Sequence, residues 1–194
     1  MDGAYVSDGE SLRVVRQIFE TLVTTKPGGT DIEPLLATAY EPSADGKTWT
    51  FTLRQGVKFQ DGTSFDAKAV CFNFDRWYNF KGVQQSPAVS YYWQTVFSGY
   101  AKNEDKALPV SLYKSCAPTS DGKAVIELRP ASASFLSVLP LAAFPIASPA
   151  ALTNSGDAHL RRTGEPPLLH APLGRHTPRG PDATPTHTSE PPTR

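Results

Sequence analysis

Between Thr48 and Arg54 the chain alternates without a fault. Trp49, Phe51 and Leu53 fall on one side of an extended segment and Thr48, Thr50 and Thr52 on the other, the period of a half-buried antiparallel strand. Asp45-Gly46 just before it is a hairpin-type turn. After Gly56 the pattern resumes at Val57 and Phe59 and stops at Asp61-Gly62, which predicts a bulge followed by a second short strand. The period then changes. Ala67, Val70, Phe74 and Trp77 recur at helical spacing, while Lys68, Asn73, Asp75 and Arg76 fall off that stripe, and Ser64 or Asp66 stands where a cap is needed. Strand, short strand and amphipathic helix in unbroken succession predict a small α+β unit centred on residues 45–77.

The flanking pattern extends this unit in both directions. Ser7-Asp8-Gly9-Glu10 has the spacing of a capping box and predicts a helix that buries Leu12, Val15, Phe19 and Leu22 on one stripe. Pro27, Gly28 and Gly29 mark a turn; no Lys-Ser/Thr pair or helix start follows the diglycine, so a phosphate loop is excluded. Ile32 to Tyr40 leads into the first hairpin, and Asn103 to Leu112, charged and interrupted by proline, reads as a surface loop. Asp121-Gly122 turns the chain into a strand from Ala124 to Arg129 that Pro130 stops. Ser132 or Ser134 then caps a short helix carrying Phe135, Leu136, Val138 and Leu139.

One stretch keeps two readings open. From Tyr78 the chain turns aromatic and polar at once, through Phe80, Ser86-Pro87, Tyr91, Tyr92, Trp93, Phe97 and Tyr100. Rings with polar tips suit the wall of a site for an extended peptide or another amphipathic solute. The same rings also suit the core of the small domain.

Composition changes the picture mainly at the C-terminus. Eight of the 18 prolines and all four histidines, His159, His170, His176 and His187, lie beyond Thr153, where aromatic residues cease. Residues 154–194 are therefore expected to form a disordered tail, because they offer too little apolar area to offset the entropy of ordering. Their Pro, Arg, Ala, Gly, Thr and His content is also what a G+C-rich gene read out of frame would yield. Histidines about ten residues apart among prolines do not have ligand spacing.

Charge and chemistry exclude more than they assign. Nineteen basic and nineteen acidic side chains cancel, so no net field favours nucleic acid or an anionic membrane. No apolar run approaches the ~18–20 residues of a transmembrane helix, and the N-terminus reads without an export signal. Without a histidine before residue 154, Ser-His and Cys-His sites are excluded from the ordered part. Asp61 and Asp66 are explained by a turn and a cap, so no enzyme, metal or cofactor is expected. Cys71, in the predicted helix, and Cys116, in a predicted loop, read either as two separate thiols or as a pair.

The order of elements also carries a resemblance. The Asp-Gly turn, the Trp49-Thr50-Phe51-Thr52-Leu53-Arg54 strand and Gly56-Val57-Lys58-Phe59 are followed by the Asp61-Gly62 turn. The helix start Phe65-Asp66-Ala67-Lys68-Ala69-Val70 and Phe74-Asp75-Arg76 complete the set. Together they resemble the signature region of the family 5 extracytoplasmic solute-binding proteins, the peptide-binding components of ABC importers. Pro34-Leu35-Leu36-Ala37, Leu128-Arg129-Pro130 and Phe144 to Leu152, with its Ser148-Pro149 helix start, continue the likeness from about Tyr5 to about Leu152.

The resemblance implies a fold and a role. The fold is a partial periplasmic-binding-protein-like lobe: residues 1–44 as an N-terminal piece of lobe I and 45–153 as its smaller antiparallel-sheet domain. The role is to capture a peptide or related small solute between two lobes and deliver it to permease subunits, with the membrane engaged only through the transporter. Location would be extracytoplasmic, periplasmic or at the cell surface. An exported protein would favour a Cys71–Cys116 disulfide, which at that span would contribute about 4 kcal/mol in the chain-entropy model. Tyr5, Val6, Ser7 and Asp8 would fall at the cleft rim, and Tyr91, with Tyr92 and Trp93 beside it, matches a ligand-contacting tyrosine that follows a Ser-Pro step. Family members are much longer, so impaired binding is expected here. The alternatives are an isolated protein-interaction module and a non-functional fragment.

Overall fold

A computed structural model describes residues 2–153; the expected tail lies outside them. The chain enters through a 3-10 turn, Gly3–Tyr5, and helix α1, Gly9–Ile18. Strands β1, Val23–Thr25, and β2, Ile32–Pro34, form an antiparallel ribbon of their own. Strands β3, Ala37–Pro42, and β4, Thr48–Leu53, precede helices α2, Ala67–Tyr78, and α3, Pro87–Phe97. Strands β5, Tyr113–Pro118, and β6, Ala124–Leu128, and a short helix α4, Phe135–Val138, complete the order. The main sheet runs β3-β4-β6-β5, antiparallel throughout.

The alternation of β4 places Trp49, Phe51 and Leu53 inward, opposite Ile126 and Ala124 of β6. Helix α2 and the rings of α3 cover that inner face. Phe74, Trp77, Trp93, Phe97, Tyr113, Phe135 and Phe144 meet there as edge-to-face, tilted and stacked pairs, an arrangement that adds to the area they bury. The outer face, with Thr48, Thr50 and Thr52, is partly solvated, as one-sided antiparallel sheets allow. A second, smaller cluster joins Val15 and Phe19 to Ala142 and Ala147.

Several expectations are corrected. The cap of α1 is Asp8, whose carboxylate accepts from the Ser11 amide at 2.8 Å, and not Ser7; the helix starts one residue later than the capping box requires, and a carboxylate there also meets the positive helix end. The helix stops at Ile18 because Phe19 is extended, so Leu22 lies at the entry to β1, where its carbonyl accepts from Leu35 and Ala37. No second strand forms at Val57 to Phe59. Gly56 takes φ 74° and turns the chain out of the sheet, leaving an isolated bridge between Lys58 and Ser64. Asn73, read as a polar position off the stripe, is buried. Ser134 precedes α4 without a side-chain capping bond.

Cys116 lies on β5 and not in a loop, and it is joined to Cys71 of α2 by a disulfide with Cα atoms 5.0 Å apart. On the same strand Tyr113 donates to Asp75 at 2.6 Å; burial and that carboxylate push its phenol far above the ordinary range. A division at residue 44 would cut the β3–β4 hairpin, whose ladder pairs Glu41 with Thr50 and Pro42 with Trp49.

Candidate functional site

Two elements from opposite ends of the sequence pattern meet at one edge of the molecule. The first is the 3-10 turn and the chain that follows it. Asp2 caps this turn by accepting from the Ala4 amide at 3.0 Å. Gly3 is wedged so tightly that a Cβ would lie 2.7 Å from Pro145 Cγ and 2.9 Å from the Ala142 carbonyl oxygen, so the turn sits where only glycine fits. Val6 is half-buried, and Ser7 and Asp8 are exposed.

The second element is α3, which packs against the 3-10 turn. Its entry is shaped by Ser86, whose hydroxyl accepts from the Ala88 amide, and by Pro87 at the first helical position. The backbone leaves helical geometry at Ser90, with φ −119° and ψ 41°. The Ser90 hydroxyl donates to the Gln84 carbonyl at 2.6 Å and lies 2.6 Å from the Tyr100 hydroxyl. The three aromatics that follow occupy successive helical positions and so point in different directions. Tyr91 is 49% exposed, with its ring edge-on to the partly buried Tyr92 at 5.3 Å. Trp93 is 3% exposed, stacked on Phe97 at 4.2 Å and donating to the Gly99 carbonyl at 2.9 Å.

Of the five residues singled out in the sequence, Ser7, Asp8 and Tyr91 are solvent-facing. Tyr92 flanks Tyr91, and Trp93 is a packing residue of the aromatic core. The Asp8 carboxyl is held below the usual carboxylate range by the backbone amide and then the side chain of Ser11, so at neutral pH it presents a negative charge. What the arrangement offers is an aromatic face with a hydroxyl tip, a serine hydroxyl and a carboxylate, groups suited to hold a polar solute.

A cluster missed in the sequence ties the two elements together. Arg76 of α2 reaches both Asp2 and the Tyr5 hydroxyl, and Gln84 donates to the same hydroxyl at 2.6 Å. In the sequence Arg76 had only the signature of a polar helix position. A charged side chain on the outer part of a helix pattern carries no mark of a partner 74 positions away.

The sequence model of the bacterial extracellular solute-binding proteins, family 5 Middle, matches residues 31–167. The chain belongs to this family. Its members are binding proteins and not enzymes, and the resembling signature at Asp45 to Trp77 lies inside the matched range. The glutathione-binding protein GsiB of Salmonella paratyphi A is 36% identical over 129 residues, 64% of this chain and 20% of that protein. The nickel-binding periplasmic protein of Escherichia coli K12 is 51% identical over 57 residues, covering 29% of this chain and 11% of that one. Among solved structures, the periplasmic binding protein DppA from Helicobacter pylori, in complex with the peptide STSA, superposes with a TM-score of 0.65 at 33% identity. The match covers 81% of this chain and 30% of that one. The chain thus spans about a fifth of the length of GsiB, and the family fold is the one it shares, in part, with DppA.

Proposed function

We propose that this chain supplies part of a solute-binding lobe in the extracytoplasmic binding component of an ABC importer, taking a peptide or related small solute for delivery to permease subunits. The observation that carries the reading is Tyr91. A large aromatic side chain that stays half in solvent, on a kinked helix whose Trp93 and Phe97 are buried and whose Tyr92 is partly so, offers a ring face and a hydroxyl to a solute. Family membership and the peptide bound to the related DppA support a peptide-like solute; the glutathione- and nickel-binding relatives keep the class wider than peptides.

The described residues form one wall of such a cleft, so binding by them alone is weak. We place the division of the lobe near Leu36, with β1, β2, α1 and the 142–153 segment on one side and β3 to α4 on the other, in keeping with the hairpin ladder. Titrating the chain with the peptide Ser-Thr-Ser-Ala, the dipeptide Met-Leu and glutathione, read by amide NMR, tests the proposal. Saturable shifts confined to Ser7, Asp8 and residues 90–92, lost in Tyr91→Ala without a change in melting temperature, are the expected result. No shift with any probe at millimolar concentration, or shifts that survive Tyr91→Ala, would overturn it.

A further inference from the structure

We propose that Arg76 is a positioning residue, which locks the 3-10 turn and the Tyr5 to Asp8 rim against the smaller domain so that the rim and Tyr91 face one solute together. The inference rests on the cleft reading above and adds to it the residue that sets the geometry.

The guanidinium is engaged through one terminal nitrogen and through its face. Nη2 lies 2.5 Å from Asp2 Oδ2, with the two side chains 17% and 9% exposed. The same nitrogen donates to the Tyr5 hydroxyl at 3.1 Å. The plane sits over two rings, 5.3 Å from the Tyr5 centroid and 5.4 Å from that of Phe80, and these rings stack on each other at 5.2 Å. Gln84, just before α3, completes the Tyr5 hydroxyl's set. One arginine therefore joins the N-terminal turn, the body of α2 and the approach to α3.

Its chemistry explains why arginine stands there. A planar guanidinium donates to two oxygens while its flat face rests on aromatic rings; an ammonium can also donate to several acceptors but has no flat face to lay on the rings. A charge pair so little exposed is costly to break on one side, because the remaining charge stays buried without compensation. The turn itself is only three residues long and has two 3-10 bonds, from the Tyr5 amide to the Asp2 carbonyl at 3.1 Å and from the Val6 amide to the Gly3 carbonyl at 3.4 Å. It has little stiffness of its own. Position is imposed from outside, by the wedge at Gly3 and by Arg76.

The test uses the full chain and three variants, Arg76→Lys, Asp2→Asn and Tyr5→Phe, read by hydrogen exchange and by the Ser-Thr-Ser-Ala titration. Arg76→Lys keeps the charge and the helix. The expected result is a rise of about tenfold in exchange at residues 4–8 and a peptide affinity lower by about tenfold, while β4 and β6 keep their protection. Asp2→Asn, which keeps a capping oxygen for the Ala4 amide and leaves α2 unaltered, reproduces the local rise even if the lysine variant folds poorly; Tyr5→Phe gives a smaller rise. Unchanged exchange at residues 4–8 in both Arg76→Lys and Asp2→Asn overturns the proposal. So does a loss of protection shared equally by β4 and β6, which would make the cluster merely structural. If the unaltered chain shows no peptide shift, the cleft reading fails, and the exchange data still decide whether Arg76 positions the rim.

Discussion

The core beneath the four-stranded sheet and the cluster around α1 are held by different physics. Under the sheet, large rings interlock and a disulfide ties α2 to β5. Around α1, one phenylalanine, one valine and two alanines form the buried cluster, and polar clasps supply what packing does not. Asn73 donates to the Ala147 carbonyl at 2.8 Å and to the Ala69 carbonyl at 2.9 Å, and accepts from the Ala147 amide at 3.2 Å. The Ile146 amide bonds the Glu20 carbonyl at 2.9 Å, and Ser148 donates to Asp61. The difference teaches that the main core, which also takes in Leu22, Val23, Phe144 and Ile146, is held by apolar packing, whereas α1 and the stretch around Ala147 and Ser148 depend more on directional bonds.

The sharpest way to break this comparison is to empty the large core. Trp77→Ala removes a ring that touches Phe74, Trp93 and Phe144 and is expected to cost about 3–5 kcal/mol, measured by urea unfolding. A loss under 1 kcal/mol would mean that the rings do not carry the domain. Replacing Cys71 and Cys116 together by serine comes next, at about 2–4 kcal/mol. The loss should match that of the unaltered chain unfolded with a reducing agent, and a chain indifferent to reductant would contradict the bridge.

Asn73→Ala sharpens the contrast, at about 2 kcal/mol. Exchange should accelerate at residues 144–152 and in α1 before it does in β4; uniform acceleration would show the two regions to be one cooperative unit. The smallest effect concerns acid. Burial at the joint pushes Asp61 up, but the hydroxyls of Ser148 and Thr63 and the Thr63 amide together outweigh it, so its carboxyl lies below the usual value. A depressed folded pKa makes the clasp's contribution fully present above the ordinary value of 3.8, and it is lost as pH falls through the folded one. Asp61→Asn should flatten that acid limb slightly, and an identical melting profile between pH 5 and pH 2.5 for both chains would rule the clasp out as a source of it.

Much of the sheet domain was legible because its signals are local. The faultless alternation at Thr48 to Leu53, the Asp-Gly turns and the stripe of α2 each announce themselves within a few residues. Strand β5 did not, since Lys114, Ser115 and Pro118 give it neither alternation nor β-branched content; it is a strand because β6 and the Asp75 carboxylate hold it there. At the candidate site the tyrosines were visible as chemistry but not as geometry. Tyr91 and Trp93 stand about 200° apart on the helix, and only the docking of α3 decides that Tyr91 faces solvent while Trp93 enters the core. Arg76 was invisible as a site residue because its partners are the N-terminal turn and a ring that follows the helix.

By itself the sequence determined the family, through its likeness to a known signature, and the α+β class and the central strand, turn and helix, which rest on periodicity and turn chemistry that neighbours along the chain dictate. Only the tertiary structure decided that Cys71 and Cys116 are bonded, that Asn73 is a buried clasp and that Arg76 joins the rim to the domain. Those facts depend on pairs 45, 74 and 74 residues apart, and no local pattern encodes which distant group a polar side chain will meet.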